Sequence, residues 1–139
     1  MRKILLFFFC LIVFLTTDDR AGKDDILSYV EENEDTLMEC IQNNDFSPIE
    51  NVRLIRDIDA DRIDSGFVEF GCGGAGFGPE TDYRGFYYSA DDDMTEIWCA
   101  PRGRAARESG DGYLWKDIGD NTYYSEHICG HFYYYDAHF

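Results

Sequence analysis

The sequence predicts an α+β fold: one N-terminal helix packed on a curved antiparallel sheet of five to six strands, stapled by disulfides. Three observations predict it. Apolar residues recur at a helical period only between residues 25 and 43. From residue 51 onward, β-branched and aromatic runs alternate with Gly, Asp and Asn clusters. An even set of cysteines follows an apolar leader.

The leader comes first. Arg2 and Lys3 precede an uncharged apolar run from Ile4 to Leu15, the pattern of a secretory signal over residues 1–17. Such a run spans about 18 Å as a helix, against about 30 Å of hydrocarbon. It predicts export, with cleavage between residues 17 and 22 and no stable membrane span afterwards. Cys10 follows Phe7-Phe8-Phe9 inside the apolar run, so it reads as a filler of the signal rather than a lipid-bearing cysteine. Residues 18–24 form a polar lead-in, and residues 25–139 a single α+β domain. The predicted location is secreted or cell-envelope, outside the cytoplasm.

Composition narrows the partners. The net charge is -16, with 12 Lys and Arg against 28 Asp and Glu. Such a surface repels nucleic acid and anionic membranes, and suits solubility, cations or a basic partner. Beyond the leader, Cys40, Cys72, Cys99 and Cys129 read as two disulfides in an exported chain. Three connectivities are open. Cys40–Cys72 with Cys99–Cys129 is favoured, because the first would tie the helix to the strand beneath it. A loop of that size contributes about 3–4 kcal/mol. Zinc fails on spacing, because no two of these cysteines lie close together in sequence.

The elements follow in order. Between Asp25 and Asn43, Ile26, Val30, Leu37 and Ile41 share one stripe, with Leu27 and Met38 beside it and Cys40 at its edge. Asp24 and Asp25 suit the start of the helix, and Asn43-Asn44 its end. Strands are predicted at Val52–Ile58, Gly66–Cys72, Tyr83–Ser89, Gly112–Asp117, Thr122–Glu126 and Cys129–Asp136. Their aromatics must alternate between two faces, so one set packs under the helix. The other set lies on the outer face unless the sheet curls over it. Tyr87, Tyr88, Trp115 and Tyr134 are the candidate binding residues of such an aromatic platform.

Four motifs suggest chemistry. Gly71-Cys72-Gly73-Gly74-Ala75-Gly76 has the outline of a dinucleotide-binding turn, but a loop follows where a helix is required. A bulged β-connection fits better. Asp57, Asp59 and Asp61 open like a calcium loop, yet Arg62 stands where Gly should and Val68 where Glu should. Asp91, Asp92 and Asp93, with Glu96 nearby, form a second acidic cluster that extracellular calcium suits. His127 and His131 flank Cys129-Gly130, and with Glu126 or Asp136 they could make an acid/base pair or a metal site. No nucleophile motif accompanies them. Arg102-Gly103-Arg104-Ala105-Ala106-Arg107 is the one basic run, expected to balance nearby carboxylates.

Two stretches carry a resemblance: the segment from Phe67 to Ala90 with Tyr83-Arg84-Gly85-Phe86-Tyr87-Tyr88-Ser89, and the ending Phe132-Tyr133-Tyr134-Tyr135-Asp136-Ala137-His138-Phe139. Together they resemble a group of small exported or membrane-tethered proteins of unknown function from Gram-positive bacteria. The resemblance covers about residues 50–139. It implies a bacterial envelope or medium as the setting and attaches no activity.

The functional expectation is a non-enzymatic binding or surface-interaction domain whose partner is an extracellular protein or glycan. The first alternative is a small extracellular hydrolase using His127 and His131 with a carboxylate. The second is a calcium-dependent module. No cofactor motif is present, and calcium is the one ion the acidic loops suit.

Overall fold

The computed structural model describes residues 21–139, apart from 78, 79, 99, 102, 103 and 118. The predicted signal and residues 18–20 of the lead-in lie outside the described residues. So does Cys99, and with it the Cys99–Cys129 pairing.

Helix α1 spans Lys23–Asn43. It starts two residues before the expected point because Gly22 caps it. The Asp25 carboxylate reaches back to accept the Gly22 N–H at 3.1 Å, the return half of a capping box. Asn44 ends it in the left-handed conformation (φ 48), and the Asp45 N–H then reaches the Cys40 carbonyl at 3.0 Å. Ile26, Val30 and Leu37 are buried, as the stripe predicts, and so is Cys40 at its edge, while Ile41 is half-buried. Burying each of the large aliphatic ones contributes about 1.5–3 kcal/mol. The helix kinks at Asn33 (φ -122), whose amide donates to the Tyr29 carbonyl at 2.8 Å.

The strand expected at Val52–Ile58 shrinks to β1, Asp57–Asp59. The preceding segment is a run of turns instead. Ile49, Val52 and Ile55 each donate a backbone N–H to the carbonyl three residues earlier, at 3.0–3.1 Å. Ile49 and Ile55 thereby drop into the core.

A short 3₁₀ turn, Ile63–Ser65, leads to β2 (Phe67–Phe77), which pairs with β3 (Glu80–Ser89). The Gly-rich stretch continues β2 through a bulge between Gly71 and Gly73, so it is the bulged β-connection and not a nucleotide turn. Strands β4 (Arg107–Ser109), β5 (Gly112–Lys116), β6 (Thr122–Cys129) and β7 (Phe132–His138) complete one antiparallel sheet in the order β1-β2-β3-β7-β6-β5-β4. Seven strands replace the expected five to six, because the sequence reading passed over three-residue β4.

The strand order explains the second core. After β3 the chain must travel to the far edge before β4 to β7 fill back toward it. That connection lays Met94, Ile97 and Ala100 over Phe67, Tyr87, Tyr123, Tyr133 and Tyr135. The opposite face packs Val68, Phe70, Phe86, Phe132 and Tyr134 against α1. There Phe70 and Phe86 stack at 4.5 Å. Both sheet faces are therefore covered.

The expected Cys40–Cys72 disulfide is not formed. Cys40, Cys72 and Cys129 are free thiols. Cys40 and Cys72 both lie in the α1-side core, where each packs as a small apolar side chain. No helix among the described residues is long and apolar enough to cross a membrane.

Candidate functional site

The expected aromatic platform is largely interior. Tyr87 is fully buried, stacked on Tyr133 at 5.4 Å, with its hydroxyl 2.7 Å from Ser125 Oγ. Trp115 is buried against Tyr123, and Tyr134 is buried on the α1 side with its hydroxyl donating to Asp136. Tyr88 is half-buried beside His131 and Phe132. The crossover connection and the helix take up the faces these rings were expected to display.

The exposed aromatics lie elsewhere. Trp98 is 60% exposed, Tyr83 37% and Tyr113 41%. Trp98, from the crossover, stacks on Phe139 at 6.1 Å and meets Tyr83 edge-on at 5.6 Å. Tyr83 and Phe139 touch at 6.1 Å. These three rings form one corner at the ends of β3 and β7.

An acidic group borders this corner. In the ladder, Asp59 stands opposite Glu69 and Asp57 opposite Gly71. Gly85 follows Gly71 across the sheet, and a Cβ there would strike the Phe70 carbonyl and the Tyr135 ring. The missing side chain lets Tyr135 lean across from β7 and donate its hydroxyl to Glu69 at 2.7 Å. Glu69 is only 6% exposed. Burial pushes its pKa up, hydrogen bonds from Tyr135 and Trp98 pull against that, and Asp57 and Asp59 push it further up. Trp98 thus joins the aromatic corner to the carboxylates.

His131 pairs with Asp92, and the described contacts of both histidines lie away from Glu126. His131 Nδ1 lies 2.8 Å from Asp92 Oδ1, and the Tyr133 hydroxyl donates to the same oxygen at 2.7 Å. His127 faces Tyr133 at 5.3 Å and holds the Gly130 carbonyl at 2.8 Å. These bonds, with both imidazoles nearby, lower the pKa of Asp92. The pair fixes the crossover to the β6–β7 turn. Among the described residues, no Ser, Thr or Cys side chain hydrogen-bonds either imidazole. The hydroxyl that shares the carboxylate is that of Tyr133, whose pKa burial raises. Glu126 is buried on the other face, paired with Lys23 at 2.6 Å and bonded by the Tyr124 hydroxyl.

The acidic loops are committed to turns. Asp93 Oδ1 accepts the Thr95 N–H and hydroxyl, and Asp59 Oδ1 accepts the Asp61 N–H. Asp91 and Asp61 are exposed. Among the described residues, no three His, Cys, Asp or Glu side chains are grouped to hold a metal. From the basic run, Arg104 pairs with Asp117 at 3.3 Å.

The chain matches no protein-family model, no curated protein and no solved structure.

Sequence reasoning passed over Glu69, Trp98, Tyr83 and Phe139. Glu69 was detectable: it shares a strand face with Phe67, so either the carboxylate is buried or the phenyl exposed against type. Trp98 stands in an irregular segment with no periodicity to orient it.

Proposed function

We propose that this chain is a non-enzymatic binding domain working outside the cytoplasm, secreted or at the cell surface, with Tyr83, Trp98 and Phe139 as its contact surface. The exposure of Trp98 carries the reading, since an indole 60% exposed and stacked on a second ring is pre-organised for contact. Export rests on the charged and apolar leader, and agrees with the setting implied by the resemblance to exported Gram-positive proteins. The ligand is an extracellular protein or glycan.

Pull-down from culture medium and a glycan array test this with the wild type, Trp98→Ala and Tyr113→Ala. Trp98→Ala is expected to weaken capture at least tenfold, which corresponds to about 1.4 kcal/mol. Tyr113→Ala, an exposed aromatic outside the corner, is expected to leave capture unchanged. Equal capture by the wild type and Trp98→Ala overturns the reading.

A further inference from the structure

Glu69 is a buried carboxylate without a cation. Its hydrogen-bond donors, Tyr135 and Trp98, are neutral, and the charged neighbours that shift it, Asp57 and Asp59, are acidic. Among the described residues, no Lys, Arg or His forms an ion pair with any of these three carboxylates. Arg62 lies on the same side of the sheet but is engaged elsewhere: its guanidinium covers the Phe67 ring at 3.9 Å and donates to the Glu96 carbonyl at 2.8 Å. A buried carboxylate left in this state is costly, and a cation offsets that cost. The adjoining exposed rings of Trp98 and Tyr83 present the π-faces that ammonium and guanidinium groups prefer.

The arrangement also favours an extended chain. Asp57 and Asp59 lie on β1, an edge strand of the sheet, two residues apart and both exposed. Alternate side chains on an extended peptide recur at about 7 Å, the same spacing as alternate residues on a strand. A net charge of -16 draws a basic segment toward the surface.

We propose that the corner formed by Glu69, Asp57, Asp59, Trp98 and Tyr83 docks a basic segment of a partner protein, one Lys or Arg side chain lying against Trp98 and facing Glu69. The proposal rests on the reading of the aromatic corner as the contact surface, and it names the ligand class. The carboxylates accept the N–H donors, and the indole covers the aliphatic stem.

Calorimetric titration of the full chain with a peptide of alternating Lys and Ser tests it, alongside the same peptide with every lysine acetylated. The variants are Glu69→Gln, the surface pair Asp57→Asn/Asp59→Asn, and Glu32→Gln on the wet side of α1 as a charge control. Lysine-peptide affinity is expected to fall about tenfold in Glu69→Gln and in the surface pair, and to stay within about twofold in Glu32→Gln. The acetylated peptide is expected not to bind. Equal losses in Glu69→Gln and Glu32→Gln overturn the proposal, because they reduce the binding to general acidity. Trp98-dependent binding of the acetylated peptide or of a neutral glycan, without binding of the lysine peptide, overturns the cationic ligand but leaves the contact surface standing. Binding of none of these probes, with no capture from medium, overturns both.

Discussion

At the residue scale, two carboxylates respond to pH in opposite directions. Glu69 has its pKa raised, burial first among the causes. The folded state therefore holds the Glu69 proton more tightly than the unfolded chain does. Stability from this group falls as pH climbs from the ordinary carboxyl range through the raised value. Asp92 is the reverse, lowered by the hydrogen bonds from Tyr133 and His131. Its contribution is present above the ordinary value and lost as pH falls. Glu69→Gln removes the first effect and leaves the second. The variant is expected to gain melting temperature relative to wild type at pH 7 and to lose that advantage at pH 4. Parallel melting profiles across that range would show that burial of Glu69 does not matter to stability.

The thiols belong to the same scale. Burial pushes Cys72 up to about 12, and burial with Glu34 nearby pushes Cys129 up to about 11. Thiolate is the reactive form, so little of either reacts at neutral pH. Iodoacetamide with mass spectrometry is expected to modify half-buried Cys129 slowly in the native protein, Cys72 not measurably, and both rapidly in denaturant. Fast native labelling of Cys72 would contradict the packing described for it.

At the scale of elements, Lys23 fastens the start of α1 to the sheet. Its ammonium pairs with buried Glu126 and lies 5.1 Å from the Tyr124 ring centre and 5.5 Å from that of Tyr134. Removing the cation leaves a buried carboxylate unpaired, which costs about 3–5 kcal/mol in full burial. Lys23 is 39% exposed, so water relieves part of that cost. Lys23→Met is expected to destabilise by about 2 kcal/mol in urea titration, and a second change, Glu126→Gln, to recover part of the loss. A purely additive double mutant would show that the pair is not coupled.

Elements also show what the sequence made legible. The α1 stripe was readable because a solvated helix exposes one face, and period alone locates the buried one. The segment before β1 was readable too, but at another period. Phe46, Ile49, Val52 and Ile55 recur every third residue, which matches the successive turns and not the two-residue repeat of a strand. The last hairpin turn was misjudged. It falls at Gly130-His131, where Gly130 has φ 49, and not at His127-Ile128. This puts His127 in β6 and His131 in the turn itself. The aromatic faces were not legible. Alternation says that Tyr87 and Phe86 point oppositely, but only the strand order reveals that the crossover covers the Tyr87 side. Trp98 depends on that same crossover, which is why the aromatic corner escaped the sequence.

At the scale of the whole molecule, charge is the term the fold must tolerate. A net charge of -16 on 139 residues repels itself in the compact state more than in the expanded chain. Of the described ion pairs, Lys23–Glu126 is partly buried and Arg104–Asp117 is exposed. Raising salt from about 10 to about 200 mM shortens the Debye length from about 30 Å to below 10 Å. Long-range repulsion is then screened, while the close Lys23–Glu126 pair is screened much less. Stability is therefore expected to rise with salt by about 1 kcal/mol, a melting shift of about 4 °C for a domain of this size. Scanning calorimetry in sodium chloride checks this, and a flat or falling melting temperature would mean that local ion pairs outweigh net repulsion. Calcium chloride at matched ionic strength separates screening from specific binding. Asp59, Asp92 and Asp93 are already engaged by backbone or side-chain donors. The calcium shift is accordingly expected to match the sodium shift at equal ionic strength. A clear excess would assign a calcium site to one of the acidic loops.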